Sequence, residues 1–234
     1  MKKICALFFA LLSTTAFAQD LRCEKDYGIF KKQFSQEVMI VQNGSAEDLK
    51  SFYKQNDYTI NKTTKNSSAN IFYNGEWYSN QDFDEHMEII LDVSKEEKFK
   101  NVSYTLSKPK VNYISSIGEI CVVPTQSEDY MAGVKFLSKY DQIFVRTLNT
   151  NEWKSYIYNG IEESSDMNHF FPNLLAKVKL SKFLANDKDF ADTSVEMALI
   201  MLGSMGVELN DEILEAVNKE AEPYRLKLKE NGYL

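Results

Sequence analysis

Val102–Gly160 reads VSYTLSKPKVNYISSIGEICVVPTQSEDYMAGVKFLSKYDQIFVRTLNTNEWKSYIYNG, and this stretch decides the fold. Six segments, VSYTLS, KVNYIS, GEICVVPTQ, DYMAGVKFLSKY, QIFVRTL and EWKSYIYNG, are rich in β-branched and aromatic residues and are parted only by short polar joints. Such residues suit a pleated, half-buried surface, so the stretch predicts a β-meander. A meander must bury one face, and the helices predicted before it are expected to cover that face, with help from the tail. The sharpest turn inside the meander is expected at Asn149-Thr150-Asn151.

Upstream, Phe30, Phe34, Val38 and Val41 step at three and four residues, the spacing of one helix face, and Asn43-Gly44 ends that helix. Ser45 with Asp48 at the third position predicts a capped second helix whose buried face holds Leu49, Phe52 and Tyr53. Residues 61–70 are almost wholly polar and read as a loop. Asn74-Gly75 lies between IFY and EWY, the strongest short signal for a hairpin. Ser79 with Asp82 then opens a third helix carrying Phe83, Met87, Ile90 and Leu91. After Lys182 the pattern turns helical: Asp192 or Thr193 is expected to cap Val195–Leu202, Asn210 to cap the next helix, and Pro223 to kink or restart the last. The expected fold is α+β, with N-terminal helices on a curved, cone-like antiparallel sheet and a C-terminal helical appendage. The divisions are a leader over 1–18, the α+β domain over 19–182 and the appendage over 183–234.

The leader is read from the basic Met1-Lys2-Lys3, the apolar run Ile4 to Leu12 and the small-x-small Ala16-Phe17-Ala18. It predicts a secretory signal cut after Ala18 and a periplasmic or secreted protein. The apolar run is too short to span a bilayer, and no later run reaches that length. Cleavage would leave Cys23 and Cys121 as an even pair in an oxidising compartment, which predicts a disulfide. The chain holds 27 basic and 34 acidic residues, and without Lys2 and Lys3 its net charge moves from −7 to −9. That balance argues against nucleic acid, whose phosphates need a basic patch, and suits a basic protein partner.

The order of helix, helix, hairpin, helix and long meander resembles the nuclear-transport-factor-two-like superfamily of cone-shaped α+β domains, in an exported bacterial form. Three local matches carry the resemblance: IFYNGEWYSNQDF as the short strand pair and helix entry, YMAGVKFLSKY with EWKSYIYNG as the long paired strands, and HFFPNLLAKVKL as the closing segment. The similarity covers Asp20 to Lys182. Members include isomerases, dehydratases, ligand binders and interaction modules, so the resemblance leaves function open. It does imply a cone opening between sheet and helices, which Tyr73, Trp77, His86, Tyr113, Met131 and Trp153 are candidates to line; the same six also suit an ordinary core or rim. His86, with Asp82 and Glu85 nearby in sequence, is the candidate for acid–base work near neutral pH.

Other chemistry is absent from the sequence. The two histidines have no metal-ligand spacing, no nucleophile elbow or glycine-rich phosphate loop occurs, and no cofactor or catalytic residue is assigned. Two functions follow as expectations. The first is a non-catalytic exported protein that binds a basic protein partner in the manner of immunity or inhibitor proteins. The alternative is a small apolar ligand binder or acid–base enzyme working inside the cone around His86.

Overall fold

The computed structural model describes residues 20–60, 62, 70–204 and 206–234. The leader over 1–18, its cut after Ala18 and nearly all of the polar loop lie outside the described residues.

One 3-10 turn leads into helix α1 (Tyr27–Asn43), and α2 (Ala46–Asn56) follows at once. The Ser45 hydroxyl accepts from the Asp48 N–H at 3.1 Å, and the Asp48 carboxylate accepts from the Ser45 N–H at 2.9 Å. That reciprocal box satisfies two N–H groups that a helix start leaves orphaned. Strands β1 (Ile71–Tyr73) and β2 (Glu76–Tyr78) pair around Asn74 and Gly75, whose φ values are +55° and +86°. A Cβ on Gly75 would come within 2.8 Å of Ile161 Cγ1, so glycine alone fits there. Helix α3 (Asn80–Glu96) starts on Ser79, whose hydroxyl accepts from the Asp82 N–H at 3.1 Å.

The main sheet is antiparallel and curved, as expected. Its axis is one long hairpin of β5 (Gly118–Met131) and β6 (Val134–Arg146), in register from Glu119↔Arg146 to Met131↔Val134. On its β5 side lie β3 (Lys100–Leu106) and β4 (Val111–Ser115), one beyond the other, and on its β6 side lies β7 (Trp153–Tyr158). Two sequence readings change here. DYMAGVKFLSKY is not one strand: the chain reverses at Ala132–Gly133, with φ of +53° and +77°. The turn lacks the Asn-Gly signature because Ala132 takes the left-handed conformation against its own preference. Its N–H is held by the Glu97 carbonyl at 2.9 Å. Beyond it, SKYDQIFVR runs on as one strand. Pro124 is tolerated mid-sheet because its carbonyl, and so its missing N–H, points at the joint between β3 and β4.

The sheet buries both faces, not one. Cys121, Val123 and Phe144 face α1 and close a core with Phe30 and Trp153. Ile120, Val122, Ile143 and Val145 point the other way, into Tyr58, Phe72, Tyr156 and the closing helices α4 (Ser164–Phe170) and α5 (Leu174–Lys177). The unalternating run Ile120–Val123 is the mark of a strand covered on both sides. A third core joins α1, α2, α3 and the β1–β2 hairpin through Leu49, Phe83, Met87 and Leu91.

The tail enters through the sheet. Strands β8 (Leu184–Ala185) and β9 (Lys188–Asp189) form a small hairpin on the β6 edge, turning at Asn186 and Asp187, both with positive φ. Helix α6 (Phe190–Ser204) therefore begins before the expected start, with the Asp189 carboxylate accepting from the Asp192 N–H at 3.1 Å. Asn210 caps α7 (Asp211–Glu220) and Pro223 sits in the first turn of α8 (Glu222–Glu230). Leu228 is buried with Ile161 and Ala191, and the Tyr233 hydroxyl donates to the Leu180 carbonyl at 2.7 Å. Cys23 and Cys121 are joined, their Cα atoms 6.2 Å apart, which ties the first described residues to β5.

Candidate functional site

Residues 30, 34 and 37 share one face of α1, and that face looks onto the sheet. Phe30 stacks on Phe144 at 3.7 Å between ring centroids and meets Trp153 edge-on at 5.0 Å. One turn on, Phe34 stacks on Tyr104 of β3 at 3.9 Å. The two stacks pin the helix to the sheet, and the next turn brings Glu37 to the same face. Between α1, α2 and the sheet a cavity of about 60 Å³ remains. Phe34, Glu37, Phe52, Tyr53, Asn56, Asp57, Tyr73 and Gln142 are among its walls.

Glu37 is the centre of this site. Its Oε1 accepts from the Tyr53 hydroxyl at 2.7 Å, and the Tyr53 ring packs against that of Tyr73, their centroids 5.0 Å apart. Burial pushes the Glu37 carboxyl up to about 7; the Tyr53 bond opposes this, while the charges of Asp57 and Asp129 reinforce it. Glu37 is half-buried and lines the cavity. Among the described residues no cation contributes to its environment. Asp57 differs. Burial raises it to about 6, but its Oδ1 is engaged by the Thr59 N–H at 2.7 Å, the Thr59 hydroxyl at 2.8 Å and the Ile60 N–H at 3.2 Å. It is chiefly the residue that turns the chain from α2 onto β7, where Tyr58 N–H meets the Ser155 carbonyl at 2.9 Å.

The remaining polar groups are neutral. Gln33 donates to Asn56 Oδ1 at 3.1 Å and to the Trp153 carbonyl at 3.0 Å. Gln142 Oε1 accepts from Tyr104 at 2.6 Å. Burial drives Tyr53, Tyr73, Tyr104 and Tyr140 far above the ordinary phenol range, so all four stay protonated donors. The arrangement thus offers two titratable carboxylates, Asp57 held by its own turn and Glu37 beside the open space, among neutral and aromatic walls.

Of the six residues expected to line the cone, Tyr73 lines this cavity and the other five do not. Trp77 packs on Phe72 and Phe170 and donates to Asp166 at 3.3 Å. Tyr113 lies on the opposite face of the sheet, its buried hydroxyl without a partner among the described residues and the Lys177 ammonium 4.8 Å above its ring. Met131 packs with Phe136 and Ala185 at the far end of the long hairpin. Trp153 is core, its indole N–H donating to Asp26 at 2.8 Å. His86 rests against Tyr78 and Tyr73, and burial lowers its pKa, with the charge of Glu76 opposing. The carboxylates expected to orient it are engaged elsewhere: Asp82 with Ser79, and Glu85 with Gln81 at 2.8 Å.

Glu37 was legible in one respect. The spacing 30, 34, 37, 41 is as good a buried stripe as 30, 34, 38, 41, and it places an acid among phenylalanines. Among the described residues no three His, Cys, Asp or Glu side chains gather as a metal site, and no helix is long and apolar enough to cross a membrane. No family model, curated protein or solved structure matches the chain.

Proposed function

We propose that this is an exported ligand-binding protein of the nuclear-transport-factor-two-like kind, which takes a small polar ligand into the cavity at Glu37. One observation carries the reading: among the described residues, the half-buried Glu37 carboxylate on the inward stripe of α1 has one hydroxyl donor, like-charged neighbours and open space beside it. Burying an unpaired charge costs several kcal/mol, and sites that keep one at such cost are where binding and chemistry concentrate. The ionisable centre is therefore Glu37 and not His86, and a polar ligand replaces the apolar one expected. The same carboxylate also suits acid–base work, since its pKa is poised near neutrality. The Cys23–Cys121 bond gives weak support to an extracytoplasmic location.

A protein partner remains the second reading, favoured by the groove beside α6, whose apolar residues are flanked by Lys188, Arg225, Asp192 and Glu196. Val195, Leu199 and Ile200 line it with Leu209, which is 43% exposed. A thermal-shift screen with small polar, charged and apolar fragments, run on the full exported chain and on Glu37→Gln, separates the two. Stabilisation of the native protein that is lost in the variant is the expected result. No shift with any fragment, together with a salt-sensitive periplasmic protein partner that the variant still binds, would move the function to the protein-partner reading.

A further inference from the structure

We infer that the group this cavity receives is a small organic ammonium ion, an inference that rests on the cavity reading above. The walls supply both attractions such a group needs. Phe34, Phe52, Tyr53 and Tyr73 present aromatic rings, whose faces attract a cation through their quadrupoles. Glu37 and Asp57 are the ionisable lining groups, and no lysine or arginine is among the described lining residues. An anion would meet two carboxylates and no donor of positive charge. A hydrocarbon would leave the charge of the half-buried Glu37 uncompensated, and an ammonium ion is the ligand that offsets it.

Size points the same way. One water needs roughly 10–15 Å³ of such volume, so 60 Å³ admits about four to six heavy atoms. Tetramethylammonium has five, and the tip of an alkylamine fits equally. The groups acting on Glu37 from the surrounding elements are acidic or neutral: Tyr53 from α2, Asp57 beyond it, Asp129 from β5, and the phenols Tyr104 and Tyr140 that feel its charge from β3 and β6. Tyr73 of β1 completes the set, and Lys154 acts on Asp57. With the carboxyl near pH 7, the ionised fraction of Glu37 rises about tenfold from pH 6 to pH 8, and cation affinity should rise with it.

The test is calorimetric titration of the full chain, disulfide intact, with tetramethylammonium chloride, n-butylammonium chloride and the neutral near-isostere tert-butanol. At least tenfold weaker binding of tert-butanol, a tenfold or greater loss on Glu37→Gln and a gain of about tenfold from pH 6 to pH 8 are expected. The two cations distinguish a free quaternary head group from a side-chain amine of lysine length. Equal affinity for tert-butanol, or a flat pH profile in the native protein, would overturn the ammonium assignment while leaving a ligand cavity in place. The profile needs no variant, so a misfolded Glu37→Gln does not shelter the idea. If no probe of either charge binds, the cavity reading itself fails.

Discussion

Glu37→Gln should stabilise the protein, and the gain should appear only as pH rises. The folded carboxyl sits at about 7 against 4.5 for the ordinary group, a difference near 2.5 pH units. At about 1.4 kcal/mol per unit this is roughly 3 kcal/mol, and partial contact with the cavity solvent reduces it to about 2. Between about pH 4.5 and 7 the folded chain holds a proton that the unfolded chain has released. The native protein therefore loses this increment as pH climbs through that window, and the loss is complete above it. Glutamine keeps the volume and still accepts from Tyr53, but carries no charge to bury. The two proteins should melt together near pH 4.5, and the variant about 4–8 °C higher at pH 8, given roughly 2–4 °C per kcal/mol for a chain of this size. Asp57, raised to about 6, titrates in the same range and its charge acts on Glu37, so the difference between the curves reports Glu37 together with its coupling to Asp57. Differential scanning calorimetry across pH 4.5–8.5 measures it. Parallel curves, with no divergence toward alkaline pH, would show that Glu37 is not buried as a charge.

Three further outcomes follow from the packing. Alkylation of the native protein without reductant should label neither Cys23 nor Cys121, and replacing both with alanine should cost about 2–4 kcal/mol in urea denaturation, given the 98-residue separation. Arg146, 6% exposed, bonds the fully buried Glu119 at 2.7 Å, so Arg146→Met alone should destabilise by about 3–5 kcal/mol. The pair Arg146→Met with Glu119→Met should restore only part of that, because Glu119 Oε1 also accepts from the Arg22 and Cys23 N–H groups, and a double variant no better than the single would refute the account. Ending the chain at Lys182 removes the hairpin on the β6 edge and the Leu228 and Tyr233 contacts, so it should lower solubility and the melting midpoint; an unchanged midpoint would mean that the tail contributes nothing to the domain.

Local chemistry was open to reading from the residues alone. Ser45 with Asp48, Ser79 with Asp82, Asn74-Gly75 and Asn210 each specify their turn or cap through groups within a few positions, and no distant contact was needed to place them. The same holds for the fold class, because the strand-rich stretch after Val102 and the helical spacing before it are both short-range patterns. What the tertiary structure alone decided depends on which residues meet across long separations. The reversal at Ala132–Gly133 carries no strong turn signature and is settled by the pairing of β5 with β6 and by the Glu97 carbonyl. The hairpin at Asn186 and Asp187 becomes sheet because β6 has a free edge to receive it. Trp153 and Tyr73, both aromatic strand residues, part company because one lies under Phe30 and the other opens onto the cavity. Glu37 is the clearest instance. One helical step decides whether an acid on α1 faces water or the sheet, and the stacks of Phe30 on Phe144 and Phe34 on Tyr104 turn it inward, into surroundings that raise its pKa.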